Sequence, residues 1–176
     1  MGKTVNFFLL NISVLALSAC VSTKLPPIET PTVKNNDIEI FFTPGPDCEN
    51  NIIQRINESD KIDIAVYSIT NPKITNAIIG AYNRGADIRL ITDKTQAKGK
   101  KSLVADLKKA GIPILTNKKH KIEHNKFAVF DDDIVVSGSY NWTTNASVNN
   151  SENCLFFKQS HQEYSNRFQY LWNIYK

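Results

Sequence analysis

The chain has 176 residues, which is enough for one well-buried domain and excludes two domains of ordinary size. Hydrophobic residues make up 41% and charged residues 22%, the proportions of a soluble globular protein. The formal net charge of +4 is too small to establish a nucleic-acid partner by itself.

The first twenty residues predict an export signal. Lys3 provides a positive start, and the mostly apolar residues 5–17 form a stretch too short and too interrupted for a membrane span. The stretch ends in Leu-Ser-Ala-Cys, which resembles the processing box of bacterial lipoproteins, and this resemblance implies lipidation of Cys20. We therefore expect residues 1–19 to be a signal peptide and the protein to be lipid-anchored in the cell envelope, at the outer membrane in a Gram-negative cell. An ordinary secretory signal and a secreted product are the alternative.

Residues 20–36 are rich in Pro, Thr and Lys and predict an extended tether, which leaves residues 37–176 as a single domain. In that domain strand and helix patterns alternate, which predicts an α/β fold with right-handed crossovers and parallel neighbours. Helices are expected from Asp47, from Asn71-Pro72 to Gly85, around 103–110 and over 164–175. Strands are expected at 38–42, 62–67, 88–91, 112–115, 126–130, 134–137 and 153–157, with a hairpin turn at 131–133.

Two cysteines remain in the predicted domain. In an oxidising envelope compartment Cys48 and Cys154 could form a disulfide, which would stabilise the fold by closing a long loop. Two separate buried thiols are equally compatible with the sequence.

A group of polar residues after position 120 carries the chemical signal. His124 and Lys126 lie two residues apart at the start of a predicted strand, so both side chains point to one face. Neutral imidazole is a nucleophile toward phosphorus, and an ammonium group binds the non-bridging oxygens of a phosphodiester. Ser139 and Asn141 could donate hydrogen bonds to the same oxygens, and Glu152 is the candidate for fixing the imidazole tautomer.

The residues His124, Lys126, Asp131, Gly138, Ser139 and Asn141 reproduce the spacing His-x-Lys-x4-Asp-x6-Gly-Ser-x-Asn. This pattern resembles the signature of the phospholipase D superfamily, and the likeness to its small bacterial single-motif branch extends from about residue 41 to residue 176. The resemblance implies a three-layer α/β/α sandwich around a mixed sheet, a covalent His124 nucleophile, and phosphate binding by Lys126, Ser139 and Asn141. It also implies a His-orienting role for Glu152, a less clearly catalytic Asp131, and no metal or other cofactor.

The mechanism that the resemblance implies needs two histidines, one to attack phosphorus and one to protonate the leaving oxygen. The chain contains the motif once. We therefore expect a two-fold homodimer in which both copies share one active site.

Two other interpretations use the same residues. His120-x-x-Glu123-His124 fits the inverted zinc-protease motif, which requires a helix and a third ligand, and His161 is the only other histidine. A lipoprotein that binds phosphate without catalysis is the second. Within phosphodiesterases the substrate stays open: the lysines before His124 favour nucleic acid, whereas a lipid anchor would hold the enzyme beside phospholipid.

Overall fold

The computed structural model describes residues 1, 2 and 38–176. The predicted signal peptide, the predicted lipidation at Cys20 and the predicted tether up to residue 36 lie outside these residues, apart from the first two positions. Within the described ranges, no helix has the length and apolar character needed to cross a membrane.

A seven-stranded mixed sheet forms the middle of the domain, in the spatial order β1-β7-β6-β5-β2-β3-β4. The β2, β3 and β4 strands run parallel, as the alternating strand and helix pattern predicts, and all other neighbours are antiparallel. The strand bounds are β1 (Ile38–Phe42), β2 (Lys61–Val66), β3 (Asp87–Thr92), β4 (Ile114–Thr116), β5 (Lys126–Phe130), β6 (Ile134–Gly138) and β7 (Asn153–Phe157).

Helices cover both faces of this sheet, with bounds α1 (Asp47–Glu58), α2 (Pro72–Arg84), α3 (Val104–Lys109), α4 (Thr144–Val148) and α5 (His161–Tyr175). The α2 helix begins where the sequence predicts, because the Asn71 side chain accepts hydrogen bonds from the amides of Lys73 and Ile74. It ends at Gly85, whose φ of 103° is left-handed.

Alternate residues of the strands pack into two hydrophobic cores, one on each face of the sheet. On one face, Ile64 and Leu90 pack with α1, α2 and α3. On the other face, Ala65 and Ile91 pack with Phe168 and other residues of α5. The period-two alternation of the strands therefore separates two helix layers, and the predicted three-layer α/β/α sandwich is confirmed.

A disulfide joins Cys48 of α1 to Cys154 of β7, with Cα atoms 5.9 Å apart. This resolves the choice that the sequence left open in favour of pairing. The bond attaches the first helix to the strand that follows the Gly-Ser-x-Asn segment. Two short helices in the described residues were not predicted from the sequence, α4 and the 3-10 helix Gln96–Lys98.

Candidate active site

One edge of the sheet collects the residues of the predicted site. Lys126 begins β5 opposite Val66 at the end of β2, and Gly138 ends β6 opposite Cys154 near the start of β7. His124, Ser139 and Glu152 lie just beyond these strand ends. The antiparallel order β7-β6-β5 therefore brings together segments that are up to about thirty residues apart in sequence.

His124 is exposed and lies against Tyr67, with ring centroids 4.6 Å apart and planes tilted by 57°. The Tyr67 ring also contacts Lys126, whose Nζ lies 5.0 Å from the ring centroid, a cation–π distance. Lys126 Nζ in turn donates a 2.7 Å hydrogen bond to the backbone carbonyl of His124. The predicted nucleophile and the predicted cation are therefore adjacent and share one aromatic wall.

Lys126 lies in a partly desolvated position at the start of β5. Burial lowers the pKa of its ammonium group, while the nearby carboxylates of Glu152 and Glu123 act in the opposite direction. An incompletely hydrated cation interacts more strongly with a phosphate oxygen than a fully solvated surface lysine does. The electrostatics of this position therefore suit anion binding.

The segment before His124 is held by a buried network that the sequence did not reveal. Glu123 is 2% exposed and accepts hydrogen bonds from the Tyr175 hydroxyl at 2.8 Å and from Asn125 Nδ2 at 2.5 Å. The same hydroxyl contacts Nδ1 of His120 at 2.5 Å. From the sequence, Tyr175 is predicted only to pack in the core as part of the last helix, and its ring does so. Its hydroxyl has a second role, because it holds the Glu123 carboxylate.

A second anchor for this segment comes from Asp93, which is 2% exposed and follows β3. Its carboxylate accepts from the backbone amide of Glu123 at 3.2 Å and from the amides of Thr95 and Gln96 at 2.8 and 3.1 Å. Gln96 Nε2 then donates to the Tyr67 hydroxyl at 3.0 Å. The backbone on both sides of His124 and the Tyr67 ring are thus fixed from within the fold.

The Gly-Ser segment after β6 requires its glycine. Gly138 has φ 143°, and a Cβ atom at this position would overlap the carbonyl oxygen of Asn153 on β7. This close approach lets the Asn153 carbonyl accept from the amides of both Ser139 and Tyr140, at 3.1 and 3.2 Å. Ser139 is consequently held at the edge of the sheet with its hydroxyl exposed.

Glu152 contacts Ser139 rather than His124. Its Oε2 accepts from Ser139 Oγ at 2.5 Å, and its Oε1 accepts from Asn150 Nδ2 at 2.9 Å. Within residues 38–176 no hydrogen bond joins Glu152 to the imidazole. The structure therefore places Glu152 beside the predicted phosphate-binding group, and its role in orienting His124 stays a prediction.

Asn141 has a buried side-chain oxygen that has no hydrogen-bond partner in the described part of the chain. The residue before it, Tyr140, is buried and shares a 2.6 Å hydrogen bond with Ser147 of α4. Burial raises the pKa of Tyr140 to about 12, so its hydroxyl stays protonated and acts structurally. Tyr140 thus fixes the backbone on which Ser139 and Asn141 are presented.

Asp131 does not belong to this group of residues. It lies at the opposite end of β5 from Lys126, where its Oδ1 accepts from the amides of Asp60 and Lys61, both at 2.9 Å. Its φ of 52° places it in the turn between β5 and β6, as the predicted hairpin requires. The assignment of Asp131 to the catalytic residues is therefore corrected: its carboxylate fixes the start of β2.

The geometry needed for the inverted zinc-protease motif is not present at residues 120–124. This segment is irregular rather than helical, and the Glu123 carboxylate is buried and occupied by Tyr175 and Asn125. His161 begins α5 and contacts the Lys158 carbonyl. No cluster of three metal-ligating side chains occurs among residues 1, 2 and 38–176.

The structure thus combines an α/β/α sandwich with a sheet edge that presents an exposed imidazole, a partly desolvated lysine and the Gly-Ser-x-Asn segment, a combination suited to binding a phosphate group. The family described as "Cardiolipin synthase, PLD-like domain" matches residues 52–172. The chain belongs to this PLD-like family of the phospholipase D superfamily, and the resemblance inferred from the motif is confirmed.

Curated and solved relatives agree with this membership. The chain is 32% identical over 117 residues to the "Mitochondrial cardiolipin hydrolase" of Chlamydomonas reinhardtii. This match covers 65% of the chain and only 52% of the length of that relative. It is 29% identical over 160 residues to a "Phospholipase D" of Rickettsia conorii, covering 89% and 78% respectively. The solved structure of Nuc, a phospholipase D family member from Salmonella typhimurium, superposes with a TM-score of 0.73 at 27% identity, covering 77% of this chain and 93% of that one. The names of these relatives support the prediction of a phosphodiesterase-type enzyme.

Proposed function

We propose that this protein hydrolyses phosphodiesters through a phosphohistidine formed at His124, by chemistry that requires no metal. The observation that carries the proposal is the exposed His124 imidazole against Tyr67, with Lys126 on the same aromatic ring. A nucleophile must reach solvent, and a phosphodiester must meet positive charge where its oxygens gain negative charge. His124 and Lys126 meet both requirements.

In the proposed first step, a His124 ring nitrogen forms a bond to phosphorus, and the bond from phosphorus to the leaving oxygen breaks. A second imidazole gives its proton to that oxygen. Water then attacks phosphorus, the same second imidazole takes the water proton, and the phosphorus–nitrogen bond breaks to regenerate His124. Lys126 and the Asn141 amide bind the non-bridging oxygens, and Ser139 joins them when its hydroxyl turns from Glu152 to the phosphate.

The second imidazole is proposed to be His124 of another copy of this chain. Three of the exposed large apolar side chains, Phe42, Ile122 and Val148, lie on segments that emerge at the same sheet edge as His124. An isologous contact across this edge would cover apolar surface and bring the two imidazoles into one cleft.

Mixed dimers test this arrangement. We expect co-expression of equal amounts of wild-type and His124→Ala chains to leave about a quarter of the wild-type activity, because only dimers with two intact imidazoles work. About a half would remain if each subunit acted alone, and this result would exclude the shared site. Ultracentrifugation of the same samples must show dimers at the assay concentration.

The substrate is proposed to be a phospholipid, as the phospholipase D and cardiolipin hydrolase names of the relatives suggest, or a nucleic acid, which the lysines before His124 favour. Plasmid DNA and vesicles of phosphatidylcholine with cardiolipin, each assayed in EDTA, separate the two. We expect His124→Ala to abolish whichever activity is found and to prevent any radiolabelled phosphoryl adduct. Full turnover in this variant would exclude His124 as the nucleophile.

We also propose that the protein is exported and lipid-anchored through Cys20 in the bacterial cell envelope. Support comes from the residues Leu17 to Cys20 alone. Cys20→Ala should move the protein from the membrane fraction to the soluble fraction. Unchanged fractionation would contradict the anchor.

A further inference from the structure

Positive charge is concentrated in one segment of the chain. Residues 94–121 contain nine lysines and a single carboxylate, Asp106. All nine lysine side chains are exposed, and none forms a salt bridge with an Asp or Glu side chain within residues 38–176. Lys118 Nζ donates a 2.6 Å hydrogen bond to the main-chain oxygen of Lys176. Lysines without an acidic side-chain partner repel one another and favour a bound polyanion.

Four of these lysines line one groove, which has a volume of about 530 Å3. They come from the loop after β3, the 3-10 helix Gln96–Lys98, the α3 helix and the residues that follow β4. No carboxylate lines the groove, and its lysines are Lys94, Lys98, Lys108 and Lys118.

The groove lies on the same side of the sheet ends as the candidate active site. Lys94 and Lys118 follow the ends of β3 and β4, at the same sheet edge as His124. The order β5-β2-β3-β4 puts β4 three strand spacings from β5, or about 14 Å. That span corresponds to roughly four nucleotide steps along a helical strand. Gln96, which precedes the groove residue Ala97, donates a hydrogen bond to the Tyr67 hydroxyl beside His124.

We infer that this lysine groove is a binding site for the phosphate backbone of a nucleic-acid strand whose scissile diester lies at His124. The inference rests on the proposed phosphodiester hydrolysis and adds a site outside the catalytic residues. A concave channel fits a strand with repeated charges, whereas a bilayer surface is contacted by protruding apolar groups. The groove is lined by no large exposed apolar side chain and by no aromatic ring. Binding there is therefore electrostatic and independent of base sequence.

The test compares two quadruple Lys→Gln variants of the full chain that remove the same charge. The groove variant changes Lys94, Lys98, Lys108 and Lys118. The control variant changes four exposed lysines of the same segment that do not line the groove: Lys100, Lys101, Lys109 and Lys119. Both are made with His124→Ala, and binding of a labelled single-stranded oligonucleotide is measured by fluorescence anisotropy across a salt series.

We expect the groove variant to bind the oligonucleotide about a hundredfold more weakly at 0.1 M salt. The slope of log K against log salt should fall in magnitude by about 3, since each of the four lost phosphate contacts contributes about 0.7. The control variant should lose less than a third of that slope. Equal losses in the two variants would overturn the groove as a site. So would a groove variant that loses binding to anionic vesicles while keeping oligonucleotide affinity, because the surface would then be a membrane contact.

Turnover of bis(p-nitrophenyl) phosphate, a diester too small to reach the groove from His124, separates this inference from the proposed function. With His124 intact, the groove variant should retain the wild-type kcat on this compound, which also shows that it is folded. If the wild type does not cleave any diester, the proposed function fails. If it cleaves the small diester and the groove variant binds oligonucleotide normally, only the groove inference fails.

Discussion

The hydroxyl of Tyr175 provides a sharp test of how the fold positions its nucleophile. Tyr175→Phe keeps the buried ring but removes the hydrogen bond to Glu123 at 2.8 Å and the contact with His120. A hydrogen bond to a charged group contributes about 1.5–3 kcal/mol, and Glu123 is too buried for water to replace it freely. We therefore expect the free energy of unfolding to fall by about 2 kcal/mol.

Activity should change as well, because Glu123 directly precedes His124. Small displacements of a reacting group cost up to about a hundredfold in rate, so we expect kcat to fall by about tenfold with little change in KM. Urea denaturation and turnover of a small phosphodiester measure the two effects.

The matched control is Tyr170→Phe, since Tyr170 lies on the same helix with 52% of its surface exposed. His120→Ala removes only the outer contact of the network and should have the smaller effect on both quantities. If Tyr175→Phe matched Tyr170→Phe within about 0.5 kcal/mol and kept its kcat, the buried network would have no positioning role.

Two further predictions concern the β6–β7 region. Replacing both Cys48 and Cys154 by Ala should lower the free energy of unfolding by about 4–5 kcal/mol, because the disulfide closes a 106-residue separation; a loss below about 1 kcal/mol in urea denaturation would contradict this. Gly138→Ala should displace β6 from β7 and abolish diester cleavage, whereas Gly80→Ala, on open helix surface, should leave activity intact and stabilise α2 by up to about 1 kcal/mol. An active Gly138→Ala enzyme would show that the close approach to Asn153 is dispensable.

The sequence predicted the elements of the fold better than their arrangement. The predicted bounds of β1, β5 and β7 match the structure because alternation and flanking turn residues are local signals. The five-residue α4 was missed, since it is too short to show a helical period. Strand order was also beyond the sequence, because the position of β7 between β1 and β6 depends on contacts between distant segments.

In the candidate site, too, the sequence predicted local features but not contacts between distant segments. His124, Lys126 and Ser139 were predicted from spacing, and the strand geometry brings their segments to one edge. The contact between Tyr175 and Glu123 spans 52 positions and depends on how α5 docks on the sheet, so no local pattern could have revealed it. Asp131 shows the converse limit: its place in the motif suggested chemistry, but its carboxylate binds backbone amides at the far end of β5.

Net charge gave a misleading impression of the surface for a physical reason. The segment 94–121 alone has a formal charge of +8. Because the formal charge of the whole chain is +4, the remaining residues together have a charge of −4. At physiological salt, charges farther apart than about 8 Å are largely screened from one another. A bound anion therefore responds mainly to the charges within that distance and very little to those farther away. For this reason the net charge of the whole chain argues neither for nor against a polyanion substrate. The evidence for such a substrate is the placement of four lysines around one groove: Lys94, Lys98, Lys108 and Lys118.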